Sequence, residues 1–427
     1  MIDLKRLRQD PEGSRAALLR RLDPSVNESL DALLALDRER RDILVRVEAL
    51  KAERNAANEE VVRRKRAKEP ADELIAKLKA SGEEVKALDG RLREVETELE
   101  RRALSVPNFP ADGTPDGDAS ANRVVRTWGE PPVFDFTPKA HWDLAAALGI
   151  LDLPAGAKLT GSGFPVFRGA GARLVRALAN FMLDLHAREH GYVEIAPPYL
   201  VNRATLTGTG QLPKFEDDLY GFAADDLFLI PTAEVPVTNL HRDEILEASD
   251  LPLGYVAHTP CFRREAGAHG KDTRGLIRVH QFDKVELVRF ARPEESAAEH
   301  ERMTGHAEAV LQRLEIPYRV VELAAGDTGF ASARTYDLEV WAAGVGAWLE
   351  ASSSSTFTDF QARRANIRYR PEPRAKPEFV HTLNASGVAF PRTIIALLEN
   401  HQAADGSVRV PKALVPYLGV ERLVPPA

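Results

Sequence analysis

One stretch of the chain, residues 261–286, holds side chains whose types and spacing could bind a charged substrate. Arg263 has a planar guanidinium group suited to a phosphate or a carboxylate. Glu265, two residues on, would point to the same face of a strand. Phe282 could stack on a nucleotide base, and Glu286 could bind an ammonium or a hydroxyl group. Taken alone, the stretch could also be a surface hairpin with ordinary salt bridges, because exposed ion pairs are common and weak.

The pattern around these residues predicts two antiparallel strands joined by a long loop. Glycine and charged residues fill the segment at about 266–275, and after it Val279, Phe282 and Val285 are surrounded by polar residues. A loop of that length inside a folded domain usually serves a function. We therefore expect a binding role for this hairpin.

Composition narrows the class of protein. A chain of 427 residues predicts two or three domains, and 44% hydrophobic with 28% charged residues is typical of a soluble protein. A net charge of -7 argues against nucleic-acid binding over the whole protein surface, but it is compatible with a local basic patch. The single cysteine, Cys261, excludes a disulfide framework. No apolar run predicts a membrane span and no secretory signal is visible, so we expect a cytoplasmic protein.

Residues 1–104 carry the spacing of a helical arm. In two stretches within about 28–102, apolar residues recur at alternating gaps of three and four, which predicts an antiparallel coiled-coil hairpin. Its hinge should lie near Glu69 and Pro70, because proline can open a new helix. The first seam contains Leu36, Ile43, Val47, Leu50, Ala57 and Val61, with Arg40 and Arg54 in two places of the series, and the second contains Leu78, Val85, Leu88, Leu92, Val95 and Leu99.

A basic cluster next to the hinge indicates one use for this arm. Arg63, Arg64, Lys65 and Arg66 could contact a phosphate backbone. The periodicity is equally compatible with a dimerisation device. Interleaved glutamates mean that part of the positive charge belongs to a solvated face.

Beyond the arm, the pattern changes twice. Residues 105–127 are rich in Pro, Asp, Gly and Ser, which predicts a linker. Residues 128–427 predict an α+β domain, a mostly antiparallel sheet flanked by helices. An amphipathic helix is predicted at 170–190. Strands are predicted at 192–195, 227–230, 255–264, 275–288, 318–323 and 336–341.

Three stretches of residues 128–427 resemble the three motifs of class II aminoacyl-tRNA synthetases, in the order of that family. They lie at about 170–201, 255–288 and 382–401. Motif 1 of the family builds a dimer interface, so the resemblance implies a homodimer. The residues that carry the resemblance are Gly191, Tyr192, Ile195 and Pro198 for motif 1, Phe262, Arg263, Arg264, Glu265, Phe282 and Glu286 for motif 2, and Ser386, Gly387 and Arg392 for motif 3.

Within this class the chain resembles the bacterial-type seryl-tRNA synthetases over nearly its whole length. Thr232-Ala233-Glu234 is similar to their serine-binding motif, and the helical arm is similar to the arm with which they grip the serine tRNA. The resemblance implies a serine–tRNA ligase that activates L-serine with ATP and charges tRNA(Ser), and also tRNA(Sec) where the host has one. Two alternatives stay open: transfer of serine to a carrier protein, and a non-catalytic RNA-binding role.

The resemblance also implies roles for individual residues. Arg263 and Arg392 would be catalytic, at the α-phosphate and the γ-phosphate of a bent ATP. Glu350 and Ser353 would hold Mg²⁺, a hard cation that prefers oxygen ligands, and the basic cluster would bind tRNA. Serine would contact Thr232, Ala233, Glu234, Arg263, Glu286, Asn384 and Ser386. ATP would contact Arg263, Arg264, Glu265, Val279, Phe282, Glu350, Ala351, Ser352, Ser353 and Arg392.

The chain departs from the usual motif 3 at two positions. Ala385 stands where the family commonly has glycine, and Pro391 directly precedes Arg392. Proline is tolerated in the first turn of a helix. We therefore predict that Pro391 opens the motif 3 helix and that Arg392 points into the binding pocket.

Overall fold

A computed structural model describes residues 1–266 and 274–426, so the predicted loop at about 266–275 lies largely outside the described residues. The chain divides into two compact units. The helical unit comprises Ile2–Leu19 and Asp23–Pro107, and the sheet unit comprises Met1, Arg20–Leu22 and the chain from Asn108 onward. Among the described residues, no helix combines the length and the apolar character needed to cross a bilayer.

The helical unit is built on two long helices. Its helices are α1 (Leu4–Gln9), α2 (Pro11–Leu19), α3 (Val26–Ala67) and α4 (Asp72–Ser105). Side chains of α3 and α4 form one buried cluster, which confirms the predicted coiled-coil seam. Lys68 ends α3 in the left-handed conformation, at φ 59°, so the chain turns next to the predicted hinge. The cluster contains Ile43, Val47 and Val95, with Leu36, Leu88 and Leu92 packed against it.

The sheet unit alternates strands and helices. Its helices are α5 (His141–Ala147), α6 (Leu153–Leu159), α7 (Ala170–Arg188), α8 (Arg203–Thr209), α9 (Glu234–Thr238), α10 (Ser296–Arg313), α11 (Phe360–Ala365), α12 (Phe390–Asn400) and α13 (Val415–Leu418). Its strands are β1 (Arg123–Trp128), β2 (Leu151–Asp152), β3 (Val166–Phe167), β4 (Val193–Glu194), β5 (Leu200–Asn202), β6 (Gly221–Phe222), β7 (Leu227–Leu229), β8 (Ile245–Glu247), β9 (Leu253–Phe262), β10 (Gln281–Ala291), β11 (Tyr318–Glu322), β12 (Arg334–Ala342), β13 (Ala347–Thr358), β14 (Arg368–Arg370), β15 (Glu378–Phe379), β16 (His381–Ala389), β17 (Val408–Arg409) and β18 (Arg422–Leu423).

One sheet organises this unit. In the described residues it has eight strands in the order β1-β11-β12-β13-β16-β10-β9-β4. Its neighbouring strands are antiparallel except for β4, which runs parallel to β9. Apolar residues of α7, α10 and α12 pack with those of the sheet in one core, for example Met182, Met303, Leu397 and Val285. The predicted α+β fold, with a mostly antiparallel sheet flanked by helices, is confirmed.

Two parts of the sheet differ from the sequence prediction. The last part of the predicted linker forms β1, because its residues pair with β11 and the Arg123 guanidinium pairs with buried Glu322. The strands β13 and β16 were not predicted, since alanine and asparagine are depleted in strands and the run Ser352–Ser355 alone resembles a loop. Both strands are nevertheless held by hydrogen-bonded neighbours on either side, and tertiary pairing overrides local propensity there.

Candidate active site

A cavity of about 680 Å³ opens beside the central strands of the sheet unit. Its walls come from β10, β13 and β16, from the residues that follow β9, and from the chain around the start of α9. The fold therefore brings residues from distant parts of the sequence into one cavity. The predicted site residues that line it are Thr232, Glu234, Arg263, Glu265, Glu286, Glu350, Ser353, Asn384 and Ser386.

Glu234 lies deep in this cavity, at the first residue of α9, and is 7% exposed. Its Oε1 accepts a hydrogen bond from Gln361 Nε2 at 2.6 Å, and Gln361 Oε1 in turn accepts one from Thr382 Oγ1 at 2.7 Å. Burial, followed by the nearby charge of Glu286, raises the pKa of Glu234 to about 7. The site thus holds a fixed carboxyl group that gains a proton near neutral pH.

A buried lysine connects the other polar groups of the cavity. Lys284 Nζ donates to Thr232 Oγ1 at 2.8 Å and forms an ion pair with Glu286. Asn384 Nδ2 donates to Glu286 Oε1 at 3.1 Å. Burial raises the pKa of Glu286, while the charge of Lys284 opposes that rise. This part of the cavity offers both acceptors and donors to a small polar ligand.

A smaller cavity, of about 270 Å³, adjoins the first. Both cavities are lined by Arg263, Glu265, Arg278, Lys284, Glu350 and Ser386, and the smaller one also by Val279, Phe282, Ala351 and Arg392. The guanidinium groups of Arg263, Arg278 and Arg392 give the smaller cavity a positive character suited to a polyphosphate. Arg263 and Arg392 therefore converge on one cavity, as expected.

Arg392 enters the smaller cavity from the first turn of α12. Pro391 occupies the start of that helix, which confirms its predicted position. Arg392 Nη1 donates to the carbonyl oxygen of Glu350 at 2.6 Å, and its Nε donates to the carbonyl oxygen of Ile277 at 3.4 Å. These contacts hold the guanidinium group at the cavity wall.

Arg263 and Phe282 form a stacked pair in the same cavity. The guanidinium carbon of Arg263 lies 5.2 Å from the centroid of the Phe282 ring. Arg263 Nε also donates to the carbonyl oxygen of Pro231 at 3.3 Å. The Phe282 ring, on which a base could stack, thus lies next to an arginine that could bind a phosphate.

Glu265 does not share a strand face with Arg263, so that prediction is wrong. The strand β9 ends at Phe262, and Glu265 has a φ of 52°, which an extended strand cannot contain. The turn places Glu265 beside Arg278, with which it forms an ion pair. Burial and then the charges of Arg392 and Arg263 lower the pKa of Arg278.

Glu350 and Ser353 both face the larger cavity although their spacing on one strand is odd. The register of β12 and β13 shifts between Glu339 and Leu338, and this bulge brings the two residues to the same side. The Glu350 side chain is 46% exposed. A carboxylate and a hydroxyl are oxygen donors of the kind Mg²⁺ accepts, so the two residues fit that ion.

Sequence reasoning included three residues that lie outside the lining of both cavities: Ala233, Arg264 and Ser352. Ser352 Oγ donates to the carbonyl oxygen of Ser386 at 2.6 Å and so supports the neighbouring strand β16. The Arg264 side chain is exposed, and its main-chain N–H donates to Asp218.

Three lining or supporting residues were missed: Lys284, Gln361 and Arg278. The alternation of Phe282, Lys284 and Glu286 along β10 was the signal that could have found Lys284. Gln361 and Arg278 act through tertiary contacts, which leave no local pattern in the sequence.

The basic cluster lies at the end of α3, next to the turn of the helical unit. Arg63 Nη2 and Arg64 Nε both lie near Glu60 Oε1, at 2.7 and 2.8 Å. These hydrogen bonds lower the pKa of Glu60 to about 2. Glu60 therefore compensates part of the charge that the sequence suggested for binding phosphates, and Lys65 and Arg66 are exposed beside it.

The fold and the paired cavities are those of a class II aminoacyl-tRNA synthetase. Residues 214–401 match the family model described as the tRNA synthetase class II core domain (G, H, P, S and T). Residues 1–110 match the model of the seryl-tRNA synthetase N-terminal domain. The chain belongs to the seryl-tRNA synthetase family.

Individual relatives agree over the full length. The chain is 56% identical to a serine–tRNA ligase of Gemmatimonas aurantiaca, over 98% of this chain and 99% of the relative. It is 55% identical to one of Desulfitobacterium hafniense, over 99% of both. The crystal structure of seryl-tRNA synthetase from Pyrococcus horikoshii complexed with ATP superposes with a TM-score of 0.96 at 40% identity and covers both chains completely.

Proposed function

We propose that this protein is a serine–tRNA ligase. It joins L-serine to ATP, giving seryl-adenylate and pyrophosphate, and then transfers the seryl group to the 3′ end of tRNA(Ser). The observation that carries this proposal is the shared wall of the two cavities. A buried pocket with carboxylates, a hydroxyl and an ammonium group opens directly beside an arginine-lined pocket, and Arg263 faces both.

The first step needs positioning and charge neutralisation rather than a general base. An oxygen of the serine carboxylate forms a bond to the α-phosphorus, and the bond from that phosphorus to the bridging oxygen breaks to release pyrophosphate. Arg263, at the boundary of the two cavities, would hold the serine carboxylate and the α-phosphate together. Arg392, on the far wall, would bind the γ-phosphate.

The adenine would stack on Phe282 next to the Arg263 guanidinium. The stacked arrangement of these two side chains supports this placement. The main chain at Val279 and the carboxylate of Glu265 line the same cavity and would bind the edge of the base. Adenine recognition would then rest on stacking and on hydrogen bonds from both sides of the loop between β9 and β10.

Serine would occupy the larger cavity near Glu234 and Glu286. The ammonium group would pair with a carboxylate, and the hydroxyl would bind among Thr232, Glu286 and Asn384. A pocket built to bind a hydroxyl rejects an amino acid that lacks it, because buried polar groups would be left without partners. The tight Lys284 contacts to Thr232 and Glu286 support such a pre-formed pocket.

Mg²⁺ would be held by Glu350 and Ser353, and it would supply charge neutralisation between the phosphates. Arg392 lies 3.3 Å from the Glu350 carboxylate, so it would have to shift its contact as the phosphates bind. The basic cluster of the arm would contact the tRNA, including tRNA(Sec) where the host has one. Homodimer formation through 170–201 and a cytoplasmic location belong to the same proposal.

Serine-dependent ATP–pyrophosphate exchange tests the first half of the reaction, and charging of serine tRNA tests the second. Both are compared between the full chain and a variant without residues 28–102. We expect exchange in both and charging only with the arm. Exchange without charging of any tRNA by the full chain would favour a carrier protein as acceptor. Absence of exchange in the folded protein would contradict the ligase.

A further inference from the structure

His141 and Glu399 form a fully buried pair next to the smaller cavity but outside its lining. Each side chain is 0% exposed. Glu399 Oε1 accepts from both the main-chain N–H and the Nδ1 of His141, at 2.8 Å in each case. Glu399 Oε2 accepts from the N–H groups of Gly344 and Val345, at 2.8 and 3.0 Å. The carboxylate is therefore fixed by four donors.

The other imidazole nitrogen contacts the wall of the ATP cavity. His141 Nε2 lies 3.0 Å from the main-chain nitrogen of Leu276, which donates to it. Because Nδ1 faces a carboxylate, Nδ1 carries the proton and Nε2 presents its lone pair to Leu276. Glu399 thus sets the tautomer that the contact with Leu276 requires.

The segment fixed in this way supplies consecutive wall residues of the smaller cavity: Leu276, Ile277, Arg278 and Val279. Gly275, directly before them, has a φ of 67°, and a Cβ there would lie 2.2 Å from His141 Nε2. The chain passes so close to the imidazole that glycine is required. A second contact lies beside it, since the Arg274 guanidinium carbon is 4.3 Å from the centroid of the Trp142 ring.

The helix α12 holds this segment at both of its ends. Arg392, in its first turn, donates to the carbonyl oxygen of Ile277. Glu399, in its last turn, acts through His141 on Leu276. The helix that carries the γ-phosphate arginine therefore also sets the position of the opposite cavity wall.

We propose that His141, oriented by Glu399, is a positioning residue for ATP. It holds 276–279 so that the Val279 main chain and Arg278 face the nucleotide. This inference rests on the proposed ligase function and adds residues outside the lining of both cavities. A purely structural role would lower stability alone, whereas a positioning role changes the KM for ATP without changing the KM for serine.

Two substitutions separate the two hydrogen bonds of the imidazole. In His141→Asn, the amide nitrogen replaces Nδ1 and keeps the bond to Glu399, but the bond to Leu276 is lost. In His141→Gln, an amide oxygen reaches the position of Nε2 and can still accept from Leu276. In exchange assays, we expect a KM for ATP raised about tenfold in H141N and within about threefold of wild type in H141Q. The KM for serine should stay constant in both.

His401→Asn is the matched control, because His401 is also buried and its Nε2 contacts the carbonyl oxygen of Leu314, and neither residue lines either cavity. We expect it to lower the melting temperature without raising the KM for ATP. Trp142→Leu removes the Arg274 contact and the edge contact with the His141 ring, and it serves if H141N does not fold. We expect a rise of about threefold in its KM for ATP.

The inference is overturned if H141N and H141Q raise the KM for ATP equally, or if the serine KM rises as much as the ATP KM. An unchanged ATP KM in W142L, with H141N unfolded, also overturns it. Each KM is compared with the value for the wild-type protein in the same exchange assay. A wild-type protein without serine-dependent exchange would instead contradict the ligase function itself.

Discussion

Glu234 and Glu286 are both buried on one cavity, and after burial itself the charge of Glu286 is the main cause that raises the pKa of Glu234 to about 7. Below that pH the folded protein holds a proton on Glu234. A bound ammonium group favours the carboxylate form, so serine binding should release this proton. We expect the affinity for serine to weaken as the pH falls from about 8 to about 6, by up to tenfold per pH unit.

Calorimetry in two buffers of different ionisation enthalpy measures the proton released per serine bound. Glu234→Gln should release much less of a proton on serine binding than wild type does, and its affinity for serine should depend less on pH. Binding of serine to wild type without proton release near neutral pH would contradict this role for Glu234.

Arg263 and Arg392 should matter to activation far more than Arg264. Replacing either lining arginine by alanine removes a charged donor aimed at the phosphates, which typically costs about 10²- to 10³-fold in rate. Arg264→Ala is the matched control, because that side chain is exposed and outside both cavities. Pyrophosphate exchange by R264A should stay within about threefold of wild type. A loss in R264A as large as in R263A would place Arg264 in the site.

Lys284→Met should destabilise the protein as well as weaken serine binding. Lys284 is 5% exposed and Glu286 is 1% exposed, so removing the lysine leaves a buried carboxylate without its cation. Losing one partner of such a pair costs about 3–5 kcal/mol. We expect that loss in the free energy of unfolding, measured with urea, and a large rise in the KM for serine.

The double variant K284M/E286Q provides the control for this pair. It replaces the unpaired Glu286 carboxylate with a neutral amide, so it should regain much of the stability while the KM for serine stays high. If the free energy of unfolding of K284M lies within about 1 kcal/mol of the wild-type value, the ion pair is not what stabilises the cavity.

Glu60→Gln should strengthen tRNA binding. Glu60 occupies two of the guanidinium groups that would otherwise face phosphates, and exposed ion pairs of this kind stabilise the fold little. We expect an affinity about two- to fivefold higher and a steeper dependence on salt. Neutralising Arg63, Arg64, Lys65 and Arg66 together should do the opposite and leave pyrophosphate exchange unchanged. Filter binding at several salt concentrations measures both.

An unchanged affinity and salt dependence in the fourfold variant would remove these residues from the tRNA interface. If the fourfold variant binds tRNA as wild type does while E60Q binds it more tightly, the gain in E60Q does not come from freeing Arg63 and Arg64. The two variants therefore check each other.

The sequence was informative where a pattern is local. The heptad spacing around Ile43 and Val95 predicted the coiled coil, because helix packing depends on side chains that recur every three or four residues. Pro391 predicted the start of α12, since a proline fits only a few helix positions. The strand β10 was found in part, although it begins at Gln281 rather than at Gly275.

The rest depends on contacts between remote segments. The serine run from Ser352 to Ser355 resembles a loop in composition, yet it is a central strand because both of its neighbours supply hydrogen bonds. The turn at Glu265 and its ion pair with Arg278 depend on contacts between the segment that follows β9 and the segment that precedes β10. No periodicity could have indicated either.

The strand β16 carries Asn384 and Ser386 between β10 and β13. Specificity determinants that sit on surface loops can drift through insertions and deletions. Here a one-residue insertion would shift the register of β16 against both flanking strands and turn its side chains beyond the insertion to the opposite face. Engineers who wish to retarget this scaffold to an unnatural amino acid should therefore exchange side chains in place and keep the length of the strand.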